Sequence, residues 1–173
     1  MRVIVRHLCA LAAFALSFAA PAAHAAPVQP DKQARGTARI VNGIFVRKLQ
    51  DLNFASLTVA AAGTAIVNPD NDTMTTTGGV AYHSGLAYAA LFEAVSPVKG
   101  VVIIRIPNKP ATLTRIGGTE TMTVDNWTLS GPSRRVVAAH EPFDIKVGGT
   151  LKVAANQREG TYVGTFEVNI QYP

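Results

Sequence analysis

The sequence predicts an all-β protein, a single antiparallel β-sandwich of about eight to ten strands over residues 36–173. Three observations carry that expectation. Threonine- and valine-rich segments are separated by Gly, Asn, Asp and Pro, which is strand composition with turn punctuation. No stretch sustains a helical apolar stripe with a period near 3.6 residues. The final segment alternates strictly, with Tyr162, Gly164, Phe166, Val168, Ile170 and Tyr172 set against Val163, Thr165, Glu167, Asn169 and Gln171. That is the pattern of a strand with one buried and one solvated face. A closed barrel is the structural alternative.

In chain order, residues 1–25 read as a secretion signal. Arg2, Arg6 and His7 form a positive start, Leu8 to Ala20 an apolar middle, and Ala23-His24-Ala25 a small-residue cleavage site before Ala26. The apolar run is shorter than the ~20 residues a bilayer crossing takes, and no second run follows, so no membrane span is expected after cleavage. Residues 26–35 hold two prolines and no apolar face, which marks a flexible lead-in. Gly36 to Val46 reads as the sandwich's first strand. Turn signals stand at Asn68 to Asp72, Gly78-Gly79, Pro107 to Pro110, Gly117-Gly118, Ser130 to Pro132 and Asn156 to Gly160.

Ala87 to Val95 could pass for a helix on alanine content, but it ends at Ser96-Pro97 between strands and is assigned as strand. Val101 to Ile106 is apolar on both faces, which suits a covered central strand. Phe143, Ile145, Val147, Leu151 and Val153 share one parity across Gly148-Gly149. Either a three-residue loop or one strand passing through a glycine bulge keeps them on one side. The glycine pairs are expected at loops, and Arg134-Arg135 in a charged turn.

Of the 16 basic residues, two lie in the leader, leaving 14 against 11 acidic and a net charge near +3. That balance does not point to nucleic acid. The one cysteine, Cys9, also lies in the leader, so neither a disulfide nor a cysteine ligand or nucleophile is expected. No catalytic constellation emerges. His83-Ser84-Gly85 lacks the flanks of a nucleophile elbow, and His83 and His140 lack metal-ligand spacing. Asn68, Asp70, Asn71 and Asp72 offer oxygen atoms, but such turns form for local reasons. Trp127 beside Asp125-Asn126 could stack a sugar; packing at a sandwich edge is the plainer reading. The expectation is a non-enzymatic protein without cofactor or metal.

Leu151-Lys152-Val153 after Gly148-Gly149-Thr150, then Gln157, then Gly160 to Val168 (GTYVGTFEV) resembles a secreted proteobacterial family labelled domain of unknown function 4402. Asp51-Leu52-Asn53-Phe54, Gly63-Thr64, Val101 to Pro107, and Gly117-Gly118 followed by Met122-Thr123-Val124 fit the same pattern. The resemblance covers about residues 38–172. It implies an immunoglobulin-like sandwich and no assigned reaction. The chain departs from it at Ala55, where glycine is expected after the aromatic Phe54.

The C-terminus is also similar to chaperone–usher pilins, with Tyr172 penultimate, Gly160 fourteenth from the end and alternation between them. That similarity implies a subunit lacking one strand, completed by a neighbour, with a periplasmic chaperone as a further partner. Gly160, Tyr162, Phe166, Val168, Ile170 and Tyr172 become candidate interface residues. Gly36 to Val46, with Ala38, Ile40, Asn42 and Ile44 on one face, is the candidate donor. The function expected is a structural or adhesive cell-surface component of fimbrial type, exported to the periplasm or surface. The alternative is a binding module for carbohydrate or another small ligand, which requires Trp127, Tyr82 and Tyr88 to converge on one concave surface.

Overall fold

A computed structural model describes residues 43–173. The predicted signal at 1–25, the lead-in at 26–35 and most of Gly36 to Val46 lie outside the described residues. Eleven strands follow one another: β1 (Phe45–Gln50), β2 (Asn53–Val67), β3 (Met74–Tyr88), β4 (Ala90–Val95), β5 (Gly100–Arg105), β6 (Ala111–Arg115), β7 (Thr121–Leu129), β8 (Arg134–Val137), β9 (Pro142–Val153), β10 (Tyr162–Val163) and β11 (Asn169–Gln171). Every pairing is antiparallel, and no helix occurs among the described residues. Ala87 to Val95 is extended, as its flanks predict; Ala89 interrupts β3 and β4.

β9 organises the sandwich because its two halves pair differently along one edge. Pro142–Val147 pairs with β4, while Gly149–Val153 pairs with the end of β2. β7 lies along the other edge and leads on to β6 and β10. A second sheet, in the order β11-β5-β8, covers the first half of β9. Ala90, Ala94, Ile145 and Val147 meet Ile104, Phe166, Val168 and Ile170 there in one core cluster. β5 is the central strand of that sheet, with Val102 and Ile104 buried. Its other face, Val101 and Ile103, is only half-buried, so the predicted cover on both sides is partial.

β9 is one continuous strand through Gly148-Gly149, and the expected bulge lies on its partner. Asp125 and Thr128 of β7 pair with Thr150 and Gly148, so β7 carries the extra residue, with Asn126 in the left-handed region at φ 47°. The glycines serve close packing. A Cβ on Gly149 would sit 3.1 Å from Val124 Cγ1 and 3.3 Å from Trp127 Cε3, and one on Gly148 would strike the Val67 carbonyl. Only Gly117-Gly118 of the three pairs occupies a turn, which corrects the expectation of glycine pairs at loops.

Gly78-Gly79 lies inside the longest ribbon of the protein. β2 and β3 are 15 residues each, which straight would extend roughly 50 Å. Yet Asp72 at one end of the ribbon accepts a 3.0 Å hydrogen bond from Ala89 N at the other. The ribbon therefore folds back on itself. Its fold is a bulge, in which Ala60, Ala61 and Ala62 stand opposite Gly79 alone. A side chain on Gly79 would strike the Ala61 backbone, so only small residues allow the bend. Phe54 from the first half and Val67 from the second enter the same core with Val80, Val124, Leu151 and Val153.

Arg134 and Arg135 open β8 instead of forming a turn. Arg135 turns inward, and its guanidinium donates to the carbonyls of Pro132 (2.8 Å), Asp144 (2.9 Å) and Ser130. These acceptors sit on the incoming loop and on β9, so the side chain ties the two together.

Candidate functional site: a groove beside a free strand edge

Past the bulge, β2 has two kinds of neighbour. Gly63–Val67 pairs with β3 on one side and β9 on the other. Asn53–Val59 pairs with β3 alone, and among the described residues nothing occupies its outer edge. Ala55 stands in the left-handed region at φ 57°, with its N–H held by Asn53 Oδ1 at 2.9 Å. That irregularity shifts the side-chain phase, so Phe54, Leu57 and Val59 all face inward while Ser56 and Thr58 face solvent. Glycine enters this backbone region freely, which gives a physical meaning to the glycine expected where Ala55 stands.

Beside that edge runs a groove of about 1110 Å³. Its floor is apolar, built by Leu113, Met122, Val124, Trp127, Leu151 and Val153. One wall is the free half of β2, and the other is the segment from Gln157 to Phe166. Trp127 belongs to that floor. The β7 bulge turns its ring inward, where it packs against both core clusters, lies 4.6 Å from the Phe166 ring centroid and donates from Nε1 to the Lys109 carbonyl at 3.0 Å. Phe166 in turn meets Phe92 edge-on at 6.2 Å.

The far wall is fixed by polar bonds. Arg115 Nε donates to Glu120 Oε2 at 2.7 Å, and Arg158 approaches the other Glu120 oxygen at 3.5 Å. The Arg115 guanidinium holds the Glu120 carboxyl down to about 2. Gln157 Nε2 donates to Tyr162 Oη at 2.7 Å, and Tyr162 Oη donates to the Arg158 carbonyl at 2.6 Å. Gly160, at φ 142°, lies against the Arg115 side chain, where a Cβ would come within 2.9 Å of Cδ.

The six candidate interface residues divide between two places. Gly160, Tyr162 and Phe166 line the groove. Val168 and Ile170 pack into the core beneath the second sheet, and the Tyr172 hydroxyl bonds the buried Ser96 Oγ at 2.9 Å. The inward alternation holds at Tyr162, Phe166, Val168, Ile170 and Tyr172 and lapses at the exposed Gly164, and the hydrogen bonding is split. Tyr162 and Val163 pair with β6, and Asn169 to Gln171 pair with β5, so the segment crosses from one sheet to the other. Phe54, Leu57, Val59, Leu113 and Met122 went unmarked as site residues. The small-residue run Ala60 to Gly63 and the in-strand Gly78-Gly79 were the signal of a bend that sets them beside a groove.

The other flagged residues do not converge. Tyr82 is exposed and bonds the Gly85 carbonyl at 2.7 Å, Tyr88 is half-buried, and neither lines the groove with Trp127. His83 is exposed on β3, and His140-Glu141 is an exposed turn held by His140 N–H on the Ser96 carbonyl. In the Asn68 to Thr73 turn, Asn68 Oδ1 and Asn71 Oδ1 accept from Asp70 N and Thr73 N, local bonds of the ordinary kind. Asp72 reaches outward, accepting from Lys146 Nζ at 2.7 Å as well as from Ala89 N; these bonds lower its carboxyl below its ordinary value. Among the described residues no group of three or more His, Cys, Asp or Glu could hold a metal ion. No described helix is long and apolar enough to cross a membrane.

A family model described as "Domain of unknown function (DUF4402)" matches residues 44–172. No curated protein and no solved structure matches the chain.

Proposed function

The chain belongs to the family of this domain of unknown function, and on that premise we propose that it is an exported, non-enzymatic structural or adhesive component of the cell surface, of fimbrial-subunit type. One observation carries the reading, the groove with an apolar floor beside the free edge of β2. It offers main-chain donors and acceptors along one side and an apolar floor. That combination suits a polypeptide strand, in which main-chain bonds give affinity and alternate side chains fill pockets. The predicted leader supplies the route of export.

Immunogold electron microscopy of cells with and without the protein tests this function. Labelled filaments or a surface coat, lost on deletion, are expected. A protein confined to the periplasmic fraction, with an unaltered and unlabelled surface, would overturn it.

A further inference from the structure

Val101 to Ile106 is apolar on both faces, and only one of those faces is fully covered. Val102 and Ile104 are buried, as is Val137 of β8, so the alternate residues of both strands point the other way. The register sets those residues side by side. Val101 stands opposite Val136, and Ile103 stands between Arg134 on one side and Gln171 on the other. Arg105 follows, opposite Asn169. The outer face of the β11-β5-β8 sheet therefore has an apolar centre, in which Val136 is 75% exposed. Arg105 and Arg134 stand at its margin, and the exposed Lys99 just precedes β5. A sheet with one solvated face would place polar residues where Val101, Ile103 and Val136 stand.

Charge singles out the same face. Arg47, Lys48, Arg115, Lys146, Lys152 and Arg158 each lie within 3.5 Å of a carboxylate, and Arg135 is held by carbonyls. Among the described residues the cations without a carboxylate partner are Lys99, Arg105, Lys109 and Arg134, all on β5, on β8 or in the loops flanking β5. Glu167 shares a shallow hollow with Arg105 and offsets one of these charges without an ion pair. We infer that the outer face of the β11-β5-β8 sheet docks on an anionic lipid bilayer surface. Val101, Ile103 and Val136 meet the acyl boundary, and Lys99, Arg105 and Arg134 meet the phosphate headgroups. Such an interface withdraws apolar area from water while the long cationic side chains stay at headgroup level. A second copy of the chain fits the face worse, because a two-fold contact would set the same cations against one another. The face lies apart from the groove, so the inference does not depend on the structural-component reading.

Co-sedimentation of the full chain, exported to a periplasm and purified, tests it. Vesicles of phosphatidylcholine alone are compared with vesicles that also contain phosphatidylglycerol. Binding to the anionic vesicles should exceed binding to the neutral ones about tenfold or more and should fall as salt is raised. Arg105→Gln with Arg134→Gln should weaken it about tenfold or more. Val136→Asn should weaken it about threefold. These three positions are exposed, so the fold survives the changes. Arg47→Gln with Lys48→Gln removes the same charge from β1 and should leave binding within about twofold of the parent. Equal binding to both kinds of vesicle, or none to either, would overturn the inference, as would an equal loss from the β1 pair. So would a Val136→Asn chain that binds the anionic vesicles undiminished and is displaced by soluble dextran sulfate, since the face would then recognise polyanionic charge alone.

Discussion

The two halves of β9 sit in unlike surroundings. Around Ile145 and Val147 the core is enclosed by strands on both sides, β4 and β1 in one layer and β11-β5-β8 in the other. The C-terminal segment closes it: Phe166, Val168 and Ile170 face in, and Tyr172 is bonded to Ser96. Around Leu151 and Val153 the second layer is half of a folded ribbon, and a groove lies open beside the free edge of β2. One strand thus serves a finished core and an unfinished one.

The strongest way to break that comparison is to remove the ring the two halves share. Trp127→Ala should cost about 3 kcal/mol or more, because Trp127 packs on both clusters and on Phe166. Urea denaturation followed by circular dichroism measures it. A loss under about 1 kcal/mol would mean that the halves are stabilised separately.

The ribbon's fold comes next. Asp72→Ala strands the Ala89 N–H and should cost about 2 kcal/mol, while Asp72→Asn keeps an oxygen acceptor and should cost about half as much. The carboxyl is partly exposed, so solvent screens the Lys146 contribution. Because the fold lowers its pKa, its contribution is whole above the ordinary value of 3.8 and is lost as pH falls through the folded value. Stability titrated below pH 3.8 should fall more steeply in the parent than in Asp72→Asn. Equal slopes would remove Asp72 from the account.

Smaller effects separate the halves. Ser96→Ala should cost about 1 kcal/mol and act on the enclosed half, by freeing Tyr172. A double-mutant cycle with Tyr172→Phe should show coupling of roughly 0.5 kcal/mol or more, and additivity would deny the tie. Ala55→Gly, on the groove side, should stabilise by about 0.5 kcal/mol, since it relieves a left-handed alanine at some cost in unfolded-chain entropy. Destabilisation there would show that the Ala55 methyl packs usefully.

Much of the enclosed half was legible in the sequence, because its signals are local. Alternation over Phe143 to Val153 and over Tyr162 to Tyr172 gives the buried face directly, since side chains on a strand repeat every two residues. The turn at Asn68 to Asp72 follows from Asx chemistry, and Ser96-Pro97 closes β4 for steric reasons. Half of the candidate site was legible as well: Gly160, Tyr162 and Phe166 were marked by the pattern at the end of the chain.

By itself the sequence determined the class of fold, the faces of its strands and most of its turns. Tertiary structure alone decided that β2 pairs with β9 only beyond Gly63, that Ala60 to Ala62 fold the ribbon until Asp72 meets Ala89, and that a groove is left beside Asn53–Val59. The reason is one of range. Side-chain alternation is a property of neighbouring residues, whereas an unpaired edge exists only relative to strands distant in the chain, which no local pattern records.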